Sequence, residues 1–525
     1  MFTLTGLWFF RRTLYLRING DKELNGLVLR YRSKLSKDDC QYEFDIKKRG
    51  NNKWSAKLNL AAIDLKVIYW DVYAITEKGE ECISVGRLRN MIRFPLYDGK
   101  YKDRSTGMFM HPYITPEVDL AFQYREYTEN DTLWFRIGEA FVLLLYFMMK
   151  PVLKKKNIIL VYEKFCQMAE DNGFYFFKYC MDNKMEETWG ANIYYVIDSR
   201  SKDMDNLLPY KNNIIGFMSL KHKLYMLAAK YFVSTDTRKH VYAWRMRMSM
   251  IEHMIRNTPL VFLQHGVLGL KRVEHIYGKG QIGSCNLFIV SSDYEKNIVQ
   301  KNFGYEEDEI AVTGLARWDV LTDKSNSIIP GGIDYNMVLV MPTWRNWLEE
   351  VDDETFAQSE YYKRYKEFLS SPELIEVLER RNLQLCFYIH PKFREYINEF
   401  DSMGRRVRIV GFGDEPLNQL IMRCKMLVTD YSSVSWDVFY QHKPVVFYQF
   451  DLPQYIESQG SYMNMDNELF GDKVLDAEGL IAAIDWYAAD GFRNKDVYEN
   501  LYQNYFKYTD SDNSRRIAEY LQMRI

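Results

Sequence analysis

The chain has 525 residues, of which 47% are hydrophobic and 27% charged. That is enough apolar material for two or three domain cores and too much for a disordered chain. Lysine plus arginine total 69 against 71 aspartate plus glutamate, a net charge of −2, which lacks the electrostatic footprint of a dedicated nucleic-acid binder. Seven scattered cysteines form no CxxC pair; they fit reduced thiols and neither a disulfide framework nor a zinc site.

From Phe2 to about Tyr127, short runs such as TLYLRI, GLVLRYR, YEFDI, WSAKLNL and WDVYAIT alternate apolar with polar residues. Turn clusters at Asn19-Gly20-Asp21 and Arg49-Gly50-Asn51-Asn52 separate them. This spacing predicts a β-rich, sandwich- or barrel-like accessory domain over 1–127, with no catalytic constellation. Residues 128–156 form a linker. Its stretch Phe135 to Lys156 reads as an apolar helix stopped by Pro151 and three lysines. It is either a buried linker helix or an interfacial element, with apolar side chains among acyl chains and lysines on anionic headgroups. The longest apolar run, Ala140 to Met149, is ten residues, half of the about 20 that a bilayer span takes. No signal peptide opens the chain, and nothing is expected to cross a membrane.

Beyond Asn157, apolar runs alternate with helical patterns: NIILVY, IYYVID, YFVST, LVFLQ, LFIVSS, MVLVMP, QLCFYI, VRIVG, MLVTD and PVVFYQ. Near-continuous apolar strands with helices between them predict an α/β protein whose parallel sheets are covered on both faces. The Ser-, Pro- and Gly-rich break at 325–335 divides the strands into two sets. The prediction is therefore two Rossmann-like domains, 157–325 and 326–525, facing a cleft, with ligands beyond the carboxyl ends of the strands.

Several motifs sit at those strand ends. In LVFLQHGVLGLKR, a strand stops at Gln264-His265-Gly266 and the basic pair Lys271-Arg272 follows. His265 there suits a general base near neutral pH, and Gly266 permits a close backbone approach to a ligand. VTGLARWDVL offers Arg317, whose planar fork fits phosphate oxygens or a salt bridge to Asp319. VLVMPTWR and FYIHPK place Thr343, Arg345, His390 and Lys392 just after strands. In MLVTDYSSVSWD, a strand ends at Thr429-Asp430-Tyr431, and Ser432 and Ser433 open a helix that carries Asp437. Free N–H groups and two hydroxyls at that turn make an anion site, where a single serine would only cap the helix. The formal GxGxxG at Gly278, Gly280 and Gly283 precedes a strand, so it is not a dinucleotide fingerprint. DxD-like pairs at Asp203/Asp205 and Asp510/Asp512 read as solvated turns. No metal-ligand spacing appears, so no protein-bound cofactor or catalytic metal is expected, although the substrate could bring Mg2+.

In number and order, the runs DNGFYFFKYC, YYVID, SLKHKLYMLAAKYFVSTD, FLQHG, TGLARWD, MPTWRNWL, HPK and TDYSSVSWDVFYQHKPVVFY resemble the CDP-glycerol glycerophosphotransferase family, the teichoic-acid polymerases and primases of Gram-positive bacteria. The resemblance implies a GT-B fold with an acceptor-side first domain and a donor-binding second domain. It implies transfer of glycerol phosphate or ribitol phosphate from a CDP-alditol to the terminal hydroxyl of a lipid-linked polymer, releasing CMP at the cytoplasmic face of the plasma membrane. His265 matches the family's general base. Arg317, Arg345, His390, Ser432 and Ser433 match the positions that hold the pyrophosphate; Asp430 and Asp437 match motif acids, with Asp437 suggested for a sugar-hydroxyl contact. Relatives often carry proline where this chain has Ala316, which leaves the Arg317 loop less rigid.

Trp244, Met248, Ile251 and Ile255 share a helical stripe flanked by Arg245, Arg247 and Arg256, readable as core packing or as a second membrane-surface element. Two other functions remain open: a GT-B glycosyltransferase using a nucleotide-sugar, and a non-catalytic adaptor whose β domain binds polymer.

Overall fold

The computed structural model describes residues 1–32, 40–86, 101–103, 106–115, 117–243, 250–321, 336–348, 351, 353–389, 405–411 and 413–524. The chain forms two compact units, Met1–Met148 with Ala243–Asn257, and Met149–Tyr242 with Thr258–Ile525.

In the first unit, strands Asp45–Gly50, Lys53–Asn59, Thr13–Gly20 and Phe2–Phe10 are neighbours in an antiparallel ladder. Gly79–Ser84, Ile68–Thr76, Leu120–Glu126, Met108–Ile114 and Tyr101–Lys102 continue the sheet, with Gly26–Tyr31 and Gln41–Glu43 alongside. Along Thr13–Gly20, Leu14, Leu16 and Ile18 are buried and Tyr15, Arg17 and Asn19 are not, the period of two that puts alternate residues on opposite faces. The inward set joins Trp70, Val72, Met110 and Phe122 in one core. This is the expected β-rich region.

The apolar linker is a helix over Leu133–Lys154, running one turn past Pro151 rather than stopping there. A proline in the last turn forfeits a single backbone bond, which shortens a helix less than one placed mid-way. Among the described residues, no helix is long and apolar enough to cross a membrane.

The second unit holds two parallel sheets. The first runs, side by side, Ile214–Gly216, Asn192–Ile197, Ile158–Tyr162, Tyr231–Ser234, Leu260–Phe262, Leu287–Val290 and Ile310–Val312. The second runs Val407–Gly411, Leu383–Ile389, Asn336–Met341, Cys424–Thr429, Val445–Tyr448 and Asp472–Val474. Both follow the doubly wound order in which the chain reverses direction beside its first strand, leaving a crevice at the carboxyl ends there. All ten expected strands are present. They read as continuous apolar runs because both faces are covered: Met337 and Leu339 enter one core, and Val338 and Val340 the other.

Two segments depart from the expected boundaries. Residues 243–257 belong with the first unit. The final helix Asn513–Gln522 places Ile517, Ala518 and Leu521 in the core of the first parallel sheet, so the stretch 326–525 contributes to both sheets. Trp244, Arg245, Arg247 and Met248 lie outside the described residues. Ile251 and Ile255 are buried, so the described part of that stripe is packing and not a membrane face.

Candidate active site

The strand Leu260–Phe262 ends in Leu263-Gln264, and Gln264 adopts a left-handed φ of 63°, a conformation that costs a non-glycine residue and persists only when its surroundings fix it. They do: the Gln264 side-chain amide donates to the Ile289 carbonyl (2.7 Å) and to Glu295 (3.0 Å), and the Gln264 backbone carbonyl accepts from Asn172 Nδ2 (3.0 Å). The following loop is held from the second sheet's side. Gly269 O accepts from the backbone of Tyr462 (2.9 Å) and from Ser461 Oγ (3.0 Å), and Leu270 O accepts from Tyr455 Oη (3.1 Å).

This turn leaves the His265 side chain 66% exposed while its Nδ1 lies 2.7 Å from Asp171 Oδ2. A carboxylate only accepts, so Nδ1 carries the proton and the lone pair sits on Nε2, the nitrogen free for a substrate. The bond to Asp171 raises the His265 pKa above its ordinary value, with the Arg317 charge opposing. Asp171 is buried and caps the helix Asn172–Asp182 through the Asn172 N–H. Burial pushes its carboxyl up, and Arg317 and His265 more than offset this, holding it below the usual range. The residues around it are acidic. Buried Glu163 accepts from the backbone N–H groups of Glu170, Asp171 and Phe174, which fixes the loop that presents Asp171. Burial, with Asp203 and Asp171 nearby, pushes Glu170 to about 7.

Arg317 joins the two halves of the site. Its fork grips Asp437 through two bonds of 2.9 Å, and Nη1 donates to Asp171 Oδ1 (2.7 Å) and to His265 O (2.9 Å). Its backbone N–H donates to Asn172 Oδ1 (2.9 Å). Ala316 therefore does not leave Arg317 loose. The expected alternative pair with Asp319 is absent: Asp319 instead accepts from the Asn513 and Ser514 N–H groups at the start of the final helix, both 2.8 Å. Asp437 is buried and also accepts from the Trp318 indole (2.6 Å). The suggested sugar contact at Asp437 is thus replaced by a buried clamp.

At the crevice of the second sheet, Thr429 Oγ1 donates to Met341 O (2.7 Å), and Asp430 accepts from the N–H groups of Thr343 (2.8 Å) and Tyr431 (2.6 Å). Arg345, expected to face phosphate, is turned inward and fully buried. It donates to Asp451 (2.7 and 3.0 Å), Asp430 (2.8 Å) and Thr343 O (2.6 Å), so protein acceptors take four of its five N–H groups and Arg345 and Asp430 brace each other. The buried Thr343 hydroxyl has no hydrogen-bond partner among the described residues. Ser432 and Ser433 lie half-buried before the helix Val434–Tyr440, and Ser433 makes no side-chain cap bond. Ser433 instead meets the His265 loop: a Cβ on Gly266 would lie 2.3 Å from Ser433 Oγ and 2.8 Å from its Cβ. Gly266 is therefore required by a serine of the facing half. Lys271 is exposed on the same loop, and His390 and Lys392 lie outside the described residues.

The structure brings His265, Gly266, Arg317 and Ser433 together, with Asp171, Asn172 and Glu163 beside them. The signal for Asp171 was present as Asp-Asn-Gly ahead of an apolar helical pattern, the signature of an N-cap.

Residues 144–523 match the family model described as CDP-Glycerol:Poly(glycerophosphate) glycerophosphotransferase. The chain belongs to that family. The family is one of transferases, as the resemblance of the motifs implied. The minor teichoic acid biosynthesis protein GgaB of Bacillus subtilis (strain 168) is 28% identical over 363 residues, 66% of this chain and 38% of GgaB. The teichoic acid ribitol-phosphate polymerase TarK of Staphylococcus aureus (strain NCTC 8325 / PS 47) is 25% identical over 361 residues, 64% of this chain and 66% of TarK. The match thus spans less than two thirds of these relatives. A solved structure of the wall teichoic acid polymerase TagF, 17% identical, covers 74% of this chain and 96% of that one with a TM-score of 0.53; at that identity the likeness establishes the GT-B fold.

Proposed function

We propose that this protein transfers an alditol phosphate from a CDP-alditol to the terminal hydroxyl of a lipid-linked polymer, releasing CMP, in the synthesis of teichoic acid or a related polymer. The observation that carries the reading is the exposed His265 imidazole, polarised by buried Asp171 and lying on a loop in contact with Ser433. In the reaction, His265 Nε2 takes the proton of the acceptor hydroxyl. The oxygen attacks the phosphorus that bears the alditol, the bond from that phosphorus to the bridging oxygen breaks, and CMP leaves with the bridging oxygen. Such transfer needs mainly positioning and charge stabilisation. Among the described residues expected to hold the pyrophosphate, Ser432 and Ser433 are left to meet it, since Arg345 and Arg317 are committed to carboxylates. Any Mg2+ enters with the donor.

The acceptor's lipid anchor calls for a membrane surface, and the linker helix supports one. Along it, Trp134, Ile137, Phe141, Leu144 and Met148 are exposed, Trp134 at 79% and Met148 at 72%. Their spacing of three and four places them on one helical face, followed by Lys150, Lys154, Lys155 and Lys156. An apolar stripe ending in lysines suits the acyl–headgroup boundary of an anionic bilayer, here the cytoplasmic face where CDP-activated donors are available. The test is release of CMP from CDP-glycerol or CDP-ribitol with a lipid-linked acceptor. Release of UDP or UMP from a UDP-sugar, with both CDP-alditols inert, would establish a glycosyltransferase instead.

A further inference from the structure

The outer face of the N-terminal ladder carries a groove of about 590 Å3 lined by Trp8, Tyr15, Arg17, Lys47, Arg49 and Lys53 among others. Its layout follows from strand register. Tyr15 pairs with Trp8 on one side and Lys57 on the other, Arg17 pairs with Gly6 and Ser55, and Ser55 pairs with Lys47. These residues alternate with the buried Leu14, Leu16, Trp54 and Ala56, so they share the face away from the core. Glycine at 6 and serine at 55, on either side of Arg17, leave space between the larger side chains of the face.

The chemistry of the groove is of two kinds. Trp8 and Tyr15 stack in parallel, 1° between planes and 5.4 Å between centroids, a rigid offset pair whose ring edges and outer faces offer apolar contact. The Arg17 guanidinium lies 5.0 Å from the Trp8 ring. Arg17, Lys47 and Lys53 make no ion pair among the described residues, although the chain as a whole is slightly acidic. Lys47 and Arg49 alternate on one strand, roughly 6.8 Å apart, and Arg17 lies two strand spacings, roughly 9.6 Å, from Lys47 across Ser55, so the cations are spread over distances that successive anions of a flexible chain can match. A cavity with these cations, an aromatic pair and one carboxylate, Asp45, already held by Lys57, is complementary to a linear polyanion with carbon-bound hydrogens between its charges.

We propose that this groove is a second, non-catalytic site that binds alditol-phosphate polymer, holding the chain by its phosphodiesters and seating a polyol or sugar unit on Trp8 and Tyr15. The identity of the polymer rests on the function proposed above, whereas the site itself rests on the groove. The test uses the full-length protein without donor, so that no elongation occurs, and measures equilibrium binding of purified poly(glycerol phosphate) and poly(ribitol phosphate). Arg17→Glu/Lys47→Glu/Lys53→Glu is expected to weaken binding at least tenfold and to flatten its salt dependence, because fewer counterions are released. Trp8→Ala is expected to weaken binding with the salt dependence kept. Both variants should keep the wild-type melting curve and the wild-type rate of CMP release with a short soluble acceptor. Equal binding by wild type and triple variant overturns the proposal, and so does tighter wild-type binding of a single-stranded oligonucleotide, which uses similar cation-and-stacking chemistry. If no CDP-alditol yields CMP but the triple variant still loses polymer binding, the function falls and this site stands.

Discussion

Asp171→Asn isolates the dyad. The change keeps the side chain's size, its cap on the Asn172 N–H and an oxygen for Arg317, but removes the charge 2.7 Å from His265 Nδ1. A hydrogen bond to a charged group contributes about 1.5–3 kcal/mol, and each ~1.4 kcal/mol is a factor of ten in rate. If the transition state carries an imidazolium, kcat should fall by at least about 10- to 100-fold, and toward the roughly 10²–10⁴ expected for His265→Ala, because the new amide NH2 facing Nδ1 favours the tautomer that protonates Nε2. The pH dependence gives a second reading. The base must be neutral, so activity rises with pH through the His265 pKa, which Asp171 holds above the ordinary value. Asp171→Asn removes that support and leaves the opposing Arg317 charge, so the acidic limb must move to lower pH. CMP release followed from pH 5 to 9 on wild type, Asp171→Asn, His265→Ala and the double variant decides the matter. A wild-type kcat in Asp171→Asn, an unmoved acidic limb, or a double variant far slower than His265→Ala would each refute the dyad.

Four further outcomes follow from the same geometry. Gly266→Ala should reduce CMP release strongly because its Cβ strikes Ser433, and Ser433→Gly in that background should restore part of it. Arg345→Met leaves Asp430 and Asp451 buried without their cation, so denaturant melts should show a loss of about 3–5 kcal/mol, with no selective rise in donor KM in the folded fraction. Glu163→Gln turns an NH2 group toward a backbone N–H and should cost about 1–3 kcal/mol in stability. Trp134→Asp/Leu144→Asp should cut co-sedimentation with anionic vesicles at least tenfold while leaving turnover of a soluble acceptor unchanged.

The fold was legible where burial repeats itself along the chain. Strands such as Ile158–Tyr162, buried at every position, announce a covered parallel sheet, and the two sets of strands announce two such sheets. The edge strands Ile214–Gly216 and Asp472–Val474 are three residues each, too short to leave a pattern. At the site, the sequence marked strand ends but not the direction each side chain takes. Arg345 and Arg317 both follow strands, and an arginine fork fits a phosphate or a carboxylate equally well. The carboxylates that claim Arg345 lie 85 and 106 residues away in sequence, and the partner of His265 lies 94 residues away. No local pattern joins them. Ser433 and Gly266 were each legible, but their contact emerges only when the two sheets face each other.

The most direct test of the account is a donor panel of CDP-glycerol, CDP-ribitol and UDP-sugars with a lipid-linked acceptor, assayed for nucleotide release on wild type and His265→Ala. The account predicts CMP from at least one CDP-alditol, nothing from the UDP-sugars, and a loss of roughly 10²–10⁴ in His265→Ala. Turnover in His265→Ala equal to wild type, or UDP release with both CDP-alditols inert, would contradict it.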